Sequence, residues 1–278
     1  MTRLAVLGSP IAHSKSPLLH AAAYRELGLD WQYGAEEVTG DALPGYLASR
    51  DGSWRGLSLT MPLKRDVLPL LDAVDSTALL TGGANTVLFD RGDGGLSLRG
   101  FNTDVYGVTE AFREAGVDRL DGVQILGGGA TAASVLVAVR ELGARRILVS
   151  VRNPAKASDL VALGVSLGAD VSVSVLGAPD GFGTPDAVVS TIPGHSEAGF
   201  EFGERVRRDA VLFDVAYDPW PSAFAASWLA AGGTVISGLE MLLHQALAQV
   251  RVFVGGAPDA TVPNESRVLS AMRAAIAR

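Results

Sequence analysis

After residue 120 the chain repeats one pattern, a series of short β-like runs at Val123–Leu126, Ile147–Val151, Val171–Leu176, Ala187–Thr191, Val211–Val215 and Thr234–Ser237. Most are unbroken apolar stretches of strand length, which parallel strands covered on both faces require. A helix over about Val105–Ala115 leads into them. The series predicts a doubly wound parallel α/β sheet. Its first strand runs into Gly127-Gly128-Gly129-Ala130-Thr131-Ala132 and then a helical pattern. Strand, Gly127-x-Gly129-x-x-Ala132 and helix together satisfy the context of a dinucleotide fingerprint, in which small residues let the backbone approach a pyrophosphate at a helix N-terminus. A plain glycine-rich strand-to-helix turn is the alternative.

The first hundred residues form another α/β layer, with strands expected at Leu4–Leu7, Gln32–Val38, Leu57–Thr60, Thr86–Phe89 and Leu96–Arg99. The last two flank Asp90–Gly95, a hairpin turn by composition. Ser16-Pro17 opens a helix with serine expected at the N-cap and proline at the first helical position, and Gly28 stops it. After Gly238 two helical patterns, Leu239–Val254 and about Glu265–Ala277, follow without a strand between them, so they are expected to return to the first domain. The expected domains are residues 1–104 with 239–278, and 105–238. There is no internal repeat, and Gly177–Gly183 reads as a flexible connection.

Length and composition narrow the class. A chain of 278 residues suits two domains, and 48% hydrophobic against 19% charged residues favours packed cores over disorder. The net charge of −7 leaves no basic footprint for nucleic acid or anionic lipid, so an anionic ligand needs a local basic site. With no cysteine, disulfides and thiolate metal sites are excluded. The run Leu4–Leu7 is short for a signal peptide, and no stretch approaches the roughly 20 apolar residues of a membrane span. A cytoplasmic protein is expected.

The strand Ile147–Val151 ends at Arg152-Asn153-Pro154-Ala155-Lys156, where an NAD site usually places a carboxylate for the ribose 2′-hydroxyl. A guanidinium there suits a 2′-phosphate, with Asn153 and Lys156 as neighbours, so NADP is expected over NAD. Solvated surface charges are the other reading of Arg152 and Lys156.

Polar residues cluster in the first domain. Ser14 and Ser16 flank a helix start, where hydroxyls and N–H groups can receive a carboxylate, although Ser16 can equally cap its own helix. Thr60-Met61-Pro62-Leu63-Lys64 places Lys64 in the first turn of a short helix. The helix dipole and Arg65 oppose its charge there, which suits a group that gives up and regains a proton; an ordinary exposed lysine is the alternative. Asp104, after Asn102-Thr103, starts a helix and is either an N-cap or the partner of that lysine. Asn85 and Gln245 are amides in apolar surroundings, where burial demands partners from a hydroxylated ligand or from a backbone carbonyl. His13, His20, His195 and His244 have no metal-ligand spacing, and no Gly-x-Ser-x-Gly elbow is present.

These segments resemble the shikimate dehydrogenase family along nearly the whole chain. The resemblance rests on Gly8-Ser9-Pro10-Ile11-Ala12-His13-Ser14-Lys15-Ser16-Pro17, Leu59-Thr60-Met61-Pro62-Leu63-Lys64, Gly83-Ala84-Asn85-Thr86, Gly100-Phe101-Asn102-Thr103-Asp104-Val105-Tyr106-Gly107, the glycine turn, and Gly238-Leu239-Glu240-Met241-Leu242-Leu243-His244-Gln245-Ala246. It implies an NADP-dependent oxidoreductase of aromatic amino-acid biosynthesis that reversibly reduces 3-dehydroshikimate to shikimate. By the same resemblance Ser14 and Ser16 take the substrate carboxylate; Thr60, Asn85 and Gln245 take ring hydroxyls and neighbouring contacts; Lys64 and Asp104 form the catalytic pair. Tyr217, in Asp214-Val215-Ala216-Tyr217-Asp218-Pro219, matches a tyrosine near substrate and nicotinamide. The expected nucleotide set is Gly127, Gly128, Gly129, Ala130, Thr131, Ala132, Arg152, Asn153, Lys156, Thr191 and Gly238, with no metal and a homodimer as the expected assembly.

The chain departs from the family at Ser58-Leu59, where many members have Asn-Val, at Ala21, where many have Asn, and at Val151-Arg152-Asn153, commonly Asn-Arg-Thr. A quinate or aminoshikimate dehydrogenase of the same family, or a non-catalytic sensor of NADP or shikimate, stands as the alternative; a sensor has no need of Lys64 and Asp104.

Overall fold

The computed structural model describes residues 1–92, 95–179, 181–193 and 200–277. His195, the centre of the Asp90–Gly95 turn, and Asp180 in the Gly177–Gly183 connection lie outside the described residues. The chain divides into two compact units, Met1–Thr103 with Leu242–Arg278, and Asp104–Met241.

In the first unit β1 (Thr2–Gly8), α1 (Ser16–Glu26), β2 (Trp31–Glu37), α2 (Leu43–Ala48), β3 (Trp54–Leu59), α3 (Leu63–Asp66), β4 (Ala73–Val74), α4 (Ser76–Thr81), β5 (Thr86–Gly92) and β6 (Gly95–Phe101) follow in order. They form one mixed sheet ordered β2-β1-β3-β5-β6-β4. The strands β2, β1 and β3 are parallel, β5 runs antiparallel to β3, and β6 antiparallel to β5. Ala5 and Leu7 of β1 enter a core with Leu43, Trp54, Leu57, Leu63, Val87 and Phe89. Leu4 and Val6, of opposite parity, are buried as well, so this strand is covered on both faces.

The second unit carries α5 (Asp104–Glu114), β7 (Gly122–Leu126), α6 (Ala130–Glu141), β8 (Arg146–Val151), α7 (Ser158–Ser166), β9 (Asp170–Val175), β10 (Ala187–Ser190), α8 (Glu204–Asp209), β11 (Val211–Asp214), α9 (Ala223–Ala230) and β12 (Val235–Ser237). Its sheet is parallel throughout and ordered β9-β8-β7-β10-β11-β12. The chain therefore winds outward in both directions from β7 and β10, the doubly wound nucleotide-binding arrangement. The apolar runs predict these strands to within a residue or two. The two-residue β4 carries too little pattern to be read in advance.

Two helices close the chain, α10 (Gly238–Gly255) and α11 (Glu265–Ile276). From Leu242 onward they belong to the first unit, where α11 packs on α1 and Arg267 pairs with Glu26 at 2.8 Å.

Candidate active site

The topology of the first sheet gathers the expected substrate residues at one edge. Because β1 and β3 are parallel, the loops that follow them, Ser9–Lys15 and Thr60–Pro62, leave from the same side. They are stitched together by Ser9 N–H to the Met61 carbonyl (3.0 Å) and Thr60 N–H to the Leu7 carbonyl (2.9 Å). Since β5 runs against β3, its entry residue Asn85 meets the exit of β3, and Leu59 N–H donates to the Asn85 carbonyl at 2.7 Å. Since β6 runs against β5, Asn102 and Thr103 emerge there too, with Asn85 N–H donating to the Phe101 carbonyl at 3.0 Å. Lys64 is half-buried in α3, and its carbonyl accepts from Ala84 N–H at 2.8 Å, which anchors the lysine beside the same Gly83–Thr86 segment. Asp104 follows Thr103 directly as the first residue of α5 and is only 3% exposed.

Ser16 is not the N-cap. Lys15 occupies that position and Ser16 is already helical; Ser14 Oγ accepts the Ser16 N–H at 3.3 Å. The hydroxyl one residue before the cap meets an orphan N–H that Ser16 itself, inside the first turn, has no geometry to reach. Ser14 is half-buried and Ser16 buried.

Asn85, 1% exposed, is held by side-chain and backbone partners together. Its Nδ2 donates to Thr103 Oγ1 (2.9 Å) and Gln245 Oε1 (3.2 Å), while Oδ1 accepts from Thr103 N–H (2.9 Å) and Thr86 Oγ1 (2.9 Å). Gln245 in turn donates to the Leu242 carbonyl at 2.8 Å, a backbone partner of the expected kind. Asn102 Nδ2 bonds Thr81 Oγ1 (2.8 Å) and the Gly83 carbonyl (2.9 Å), and Asp75, the cap of α4, accepts its N–H at 3.3 Å. The edge is thus fixed by buried polar bonds before any ligand binds.

In the second unit the expected nucleotide residues lie where the strand order reverses. Gly127 leaves β7 with φ +109, and a Cβ there would meet Thr191 Oγ1 at 2.3 Å, so only glycine lets the two neighbouring strand ends approach. Thr191, after β10, closes back on β7 by donating Oγ1 to the Leu126 carbonyl at 2.8 Å. Gly128 and Gly129 are exposed, and Gly129 caps α6, whose first residues are Ala130, Thr131 and Ala132. Arg152, Asn153 and Lys156 are all exposed after the carboxyl end of β8. Asn153 Oδ1 is spent capping the following turn by accepting Ala155 N–H at 3.1 Å, which leaves Nδ2 as the group it can offer a ligand. Gly238 sits at the end of β12 with its Cα against the Val215 carbonyl, 2.0 Å from where a Cβ would stand.

Tyr217, partly buried, follows β11 in a segment pinned by Asp214, a residue with no role in the sequence reading. Asp214 accepts from Ala216 N–H at 3.1 Å and from Ser222 Oγ. Burial pushes its carboxyl up, opposed by those bonds; burial and the Asp218 carboxylate push the Tyr217 phenol up. An aspartate inside the otherwise apolar run Val211–Val215 is the signal that the sequence offers.

Comparison with known proteins shows the family of the chain. The family model described as the shikimate dehydrogenase substrate binding domain matches residues 6–87. The NADP(+) shikimate dehydrogenase of Methanocella arvoryzae is 32% identical over 271 residues, 96% of this chain and 98% of that protein. This chain belongs to the shikimate dehydrogenase family. Mycobacterium tuberculosis shikimate dehydrogenase is similar in structure, with TM-score 0.85, 39% identity, and 99% and 100% of the two chains covered. The Thermus thermophilus shikimate 5-dehydrogenase solved with NADP(H) and shikimate matches with TM-score 0.80, 32% identity and the same coverage. The family match accounts for the two sheets, one mixed and one doubly wound.

Proposed function

We propose that this chain interconverts 3-dehydroshikimate and shikimate with NADP(H), and that Lys64 and Asp104 carry the proton chemistry. The observation that supports this reading most is the convergence of Ser14, Thr60, the Lys64 helix, Asn85 and Thr103 on one edge of the first sheet. A polyhydroxylated carboxylate needs that mixture: hydroxyls and N–H groups at the start of α1 for the anion, and amide and threonine groups for the ring hydroxyls. In this reading Ser14 and Ser16 hold the carboxylate, Thr60, Asn85, Gln245 and Tyr217 orient the ring, and residues 1–104 with 239–278 form the substrate domain.

The second unit suits NADP, because its glycine turn admits a pyrophosphate and an exposed Arg152 stands where a carboxylate would disfavour a 2′-phosphate. Lys156 and the Asn153 amide add donors, and Gly127–Ala132, Thr191 and Gly238 bring backbone close to the ligand. Bound NADPH supplies the hydride that converts ketone to secondary alcohol. As negative charge builds on the carbonyl oxygen, Lys64 Nζ gives it a proton and takes the proton back in the oxidation. By the family's pattern Asp104 is the second member of the catalytic pair.

The test is Lys64→Ala and Asp104→Asn with initial rates and calorimetric shikimate binding. Turnover is expected to fall at least ~100-fold for Lys64→Ala, as for the loss of a general acid, while shikimate affinity stays within ~10-fold. Unchanged turnover in Lys64→Ala overturns the assignment.

A further inference from the structure

Four residues beyond Gln245 on α10, and so on the same helical face, lies a second buried amide, Gln249, 2% exposed. All four of its bonding directions are filled. Its Oε1 accepts from Ser58 Oγ (2.8 Å) and faces His20 Nε2 (3.2 Å); its Nε2 donates to the Asn85 carbonyl (3.1 Å) and Thr86 Oγ1 (3.1 Å). Because an amide oxygen only accepts, His20 carries its proton on Nε2, and His20 Nδ1 accepts from the Tyr24 hydroxyl at 3.1 Å. Tyr33 donates to Ser58 Oγ at 2.6 Å and stacks on the His20 ring with centroids 3.9 Å apart. The donors all run one way, from Tyr24, His20, Tyr33 and Ser58 into Gln249 and on to Asn85.

The consequence for Asn85 is orientational. Thr86 Oγ1 accepts from Gln249, so its single proton goes to Asn85 Oδ1. With Oδ1 fixed as the acceptor of Thr86 and of Thr103 N–H, the Asn85 Nδ2 must face Thr103 Oγ1 and Gln245 Oε1. Gln249, through Thr86, therefore acts together with the Thr103 N–H to set which end of the Asn85 amide points each way, and its bond to the Asn85 carbonyl holds the backbone where Leu59 N–H meets it.

We propose that Gln249 is a positioning residue for substrate recognition: through Thr86 and the Asn85 carbonyl it fixes the orientation of Asn85, and with it the affinity for the hydroxylated substrate. The proposal rests on the function given above. It also gives a role to Ser58, where many family members carry asparagine: here the serine delivers one hydroxyl to the glutamine, and the glutamine supplies the amide.

The test compares wild type with Gln249→Leu, Gln249→Glu and Thr86→Val by steady-state kinetics with shikimate and NADP+. Near-ultraviolet circular dichroism checks that each variant is folded. Gln249→Glu keeps an oxygen for Ser58 and His20 but loses both donors to the Asn85 side, and Thr86→Val removes the relay hydroxyl with little change of shape. Each is expected to raise the shikimate KM about tenfold while the NADP+ KM stays within about twofold and kcat within about threefold. Folded Gln249→Leu and Thr86→Val proteins with a shikimate KM within twofold of wild type overturn the proposal. So does a loss that falls equally on both KM values and kcat. Wild-type turnover is the control: its absence refutes the proposed function, whereas turnover with unmoved variants refutes the role of Gln249 alone.

Discussion

At His20 burial decides the chemistry. The ring is fully enclosed, and desolvation lowers its pKa to about 3 against the opposing effect of its bond to Gln249. The unfolded chain takes up a proton near pH 6.5 while the folded protein refuses it until about pH 3. Stability that is complete above pH 6.5 is therefore lost as the pH falls through this window, by on the order of 4 kcal/mol. Urea unfolding at pH 7 and pH 4 should show a shallower loss in His20→Phe than in wild type; equal losses contradict neutral burial. Single residues were unequally legible in the sequence. Ser14, Lys64, Asn85 and Asp104 stood out because polar groups at strand exits and helix starts break an apolar pattern. Gln249 did not, because its meaning lies in Ser58, Thr86 and His20, partners far along the chain that only folding assembles.

At the scale of elements, the suture between α10 and α11 is open to test. Arg251 grips Glu265 with two bonds, Nε to Oε2 at 2.9 Å and Nη2 to Oε1 at 2.6 Å, and Val262 N–H adds a third at 3.2 Å. The Arg251 bonds hold the Glu265 carboxyl below its usual range. A depressed carboxylate contributes stability above its unfolded pKa and loses it as the pH falls through the folded value. Glu265→Gln is expected to cost about 1 kcal/mol at pH 7, as for a partly exposed charged pair, and less at pH 3. Thermal melts at the two pH values measure both, and a cost independent of pH contradicts the pairing. In the second unit Gly127→Ala would place a methyl against Thr191 with φ +109, so NADPH affinity by fluorescence titration should fall at least ~10-fold; unaltered affinity contradicts the close approach. The apolar runs fix these strands by burial on both faces. The cap of α1 falls on Lys15 and not on the expected Ser16 because serine before proline suits either side of the helix boundary, and only the Ser14 hydroxyl taking the Ser16 N–H separates them.

The whole molecule joins two sheets whose candidate site edges are each a product of strand direction. In the second unit the reversal of order between β7 and β10 brings Gly127 against Thr191; in the first, the switch from parallel to antiparallel at β5 brings Asn85 and Thr103 to the loops after β1 and β3. Doubly wound order was readable from the series of apolar runs, since parallel strands need continuous apolar sequence. Of the mixed order of the first sheet only the β5–β6 hairpin was readable, from the turn composition of Asp90–Gly95; the antiparallel pairing of β5 with β3 was not, because crossover connections leave little trace in short strands. Among the described residues no helix is long and apolar enough to cross a membrane. The net charge of −7 means that both proposed anionic ligands depend on local donors, and in the proposed function Arg152 is the group that selects NADP over NAD. The most direct test is the initial rate at 340 nm with shikimate or quinate against NADP+ or NAD+ in all four pairings. Turnover with shikimate and NADP+ at least ~100-fold above the other three pairings is the predicted result; no turnover with that pair, or an equal rate with quinate or NAD+, would contradict it.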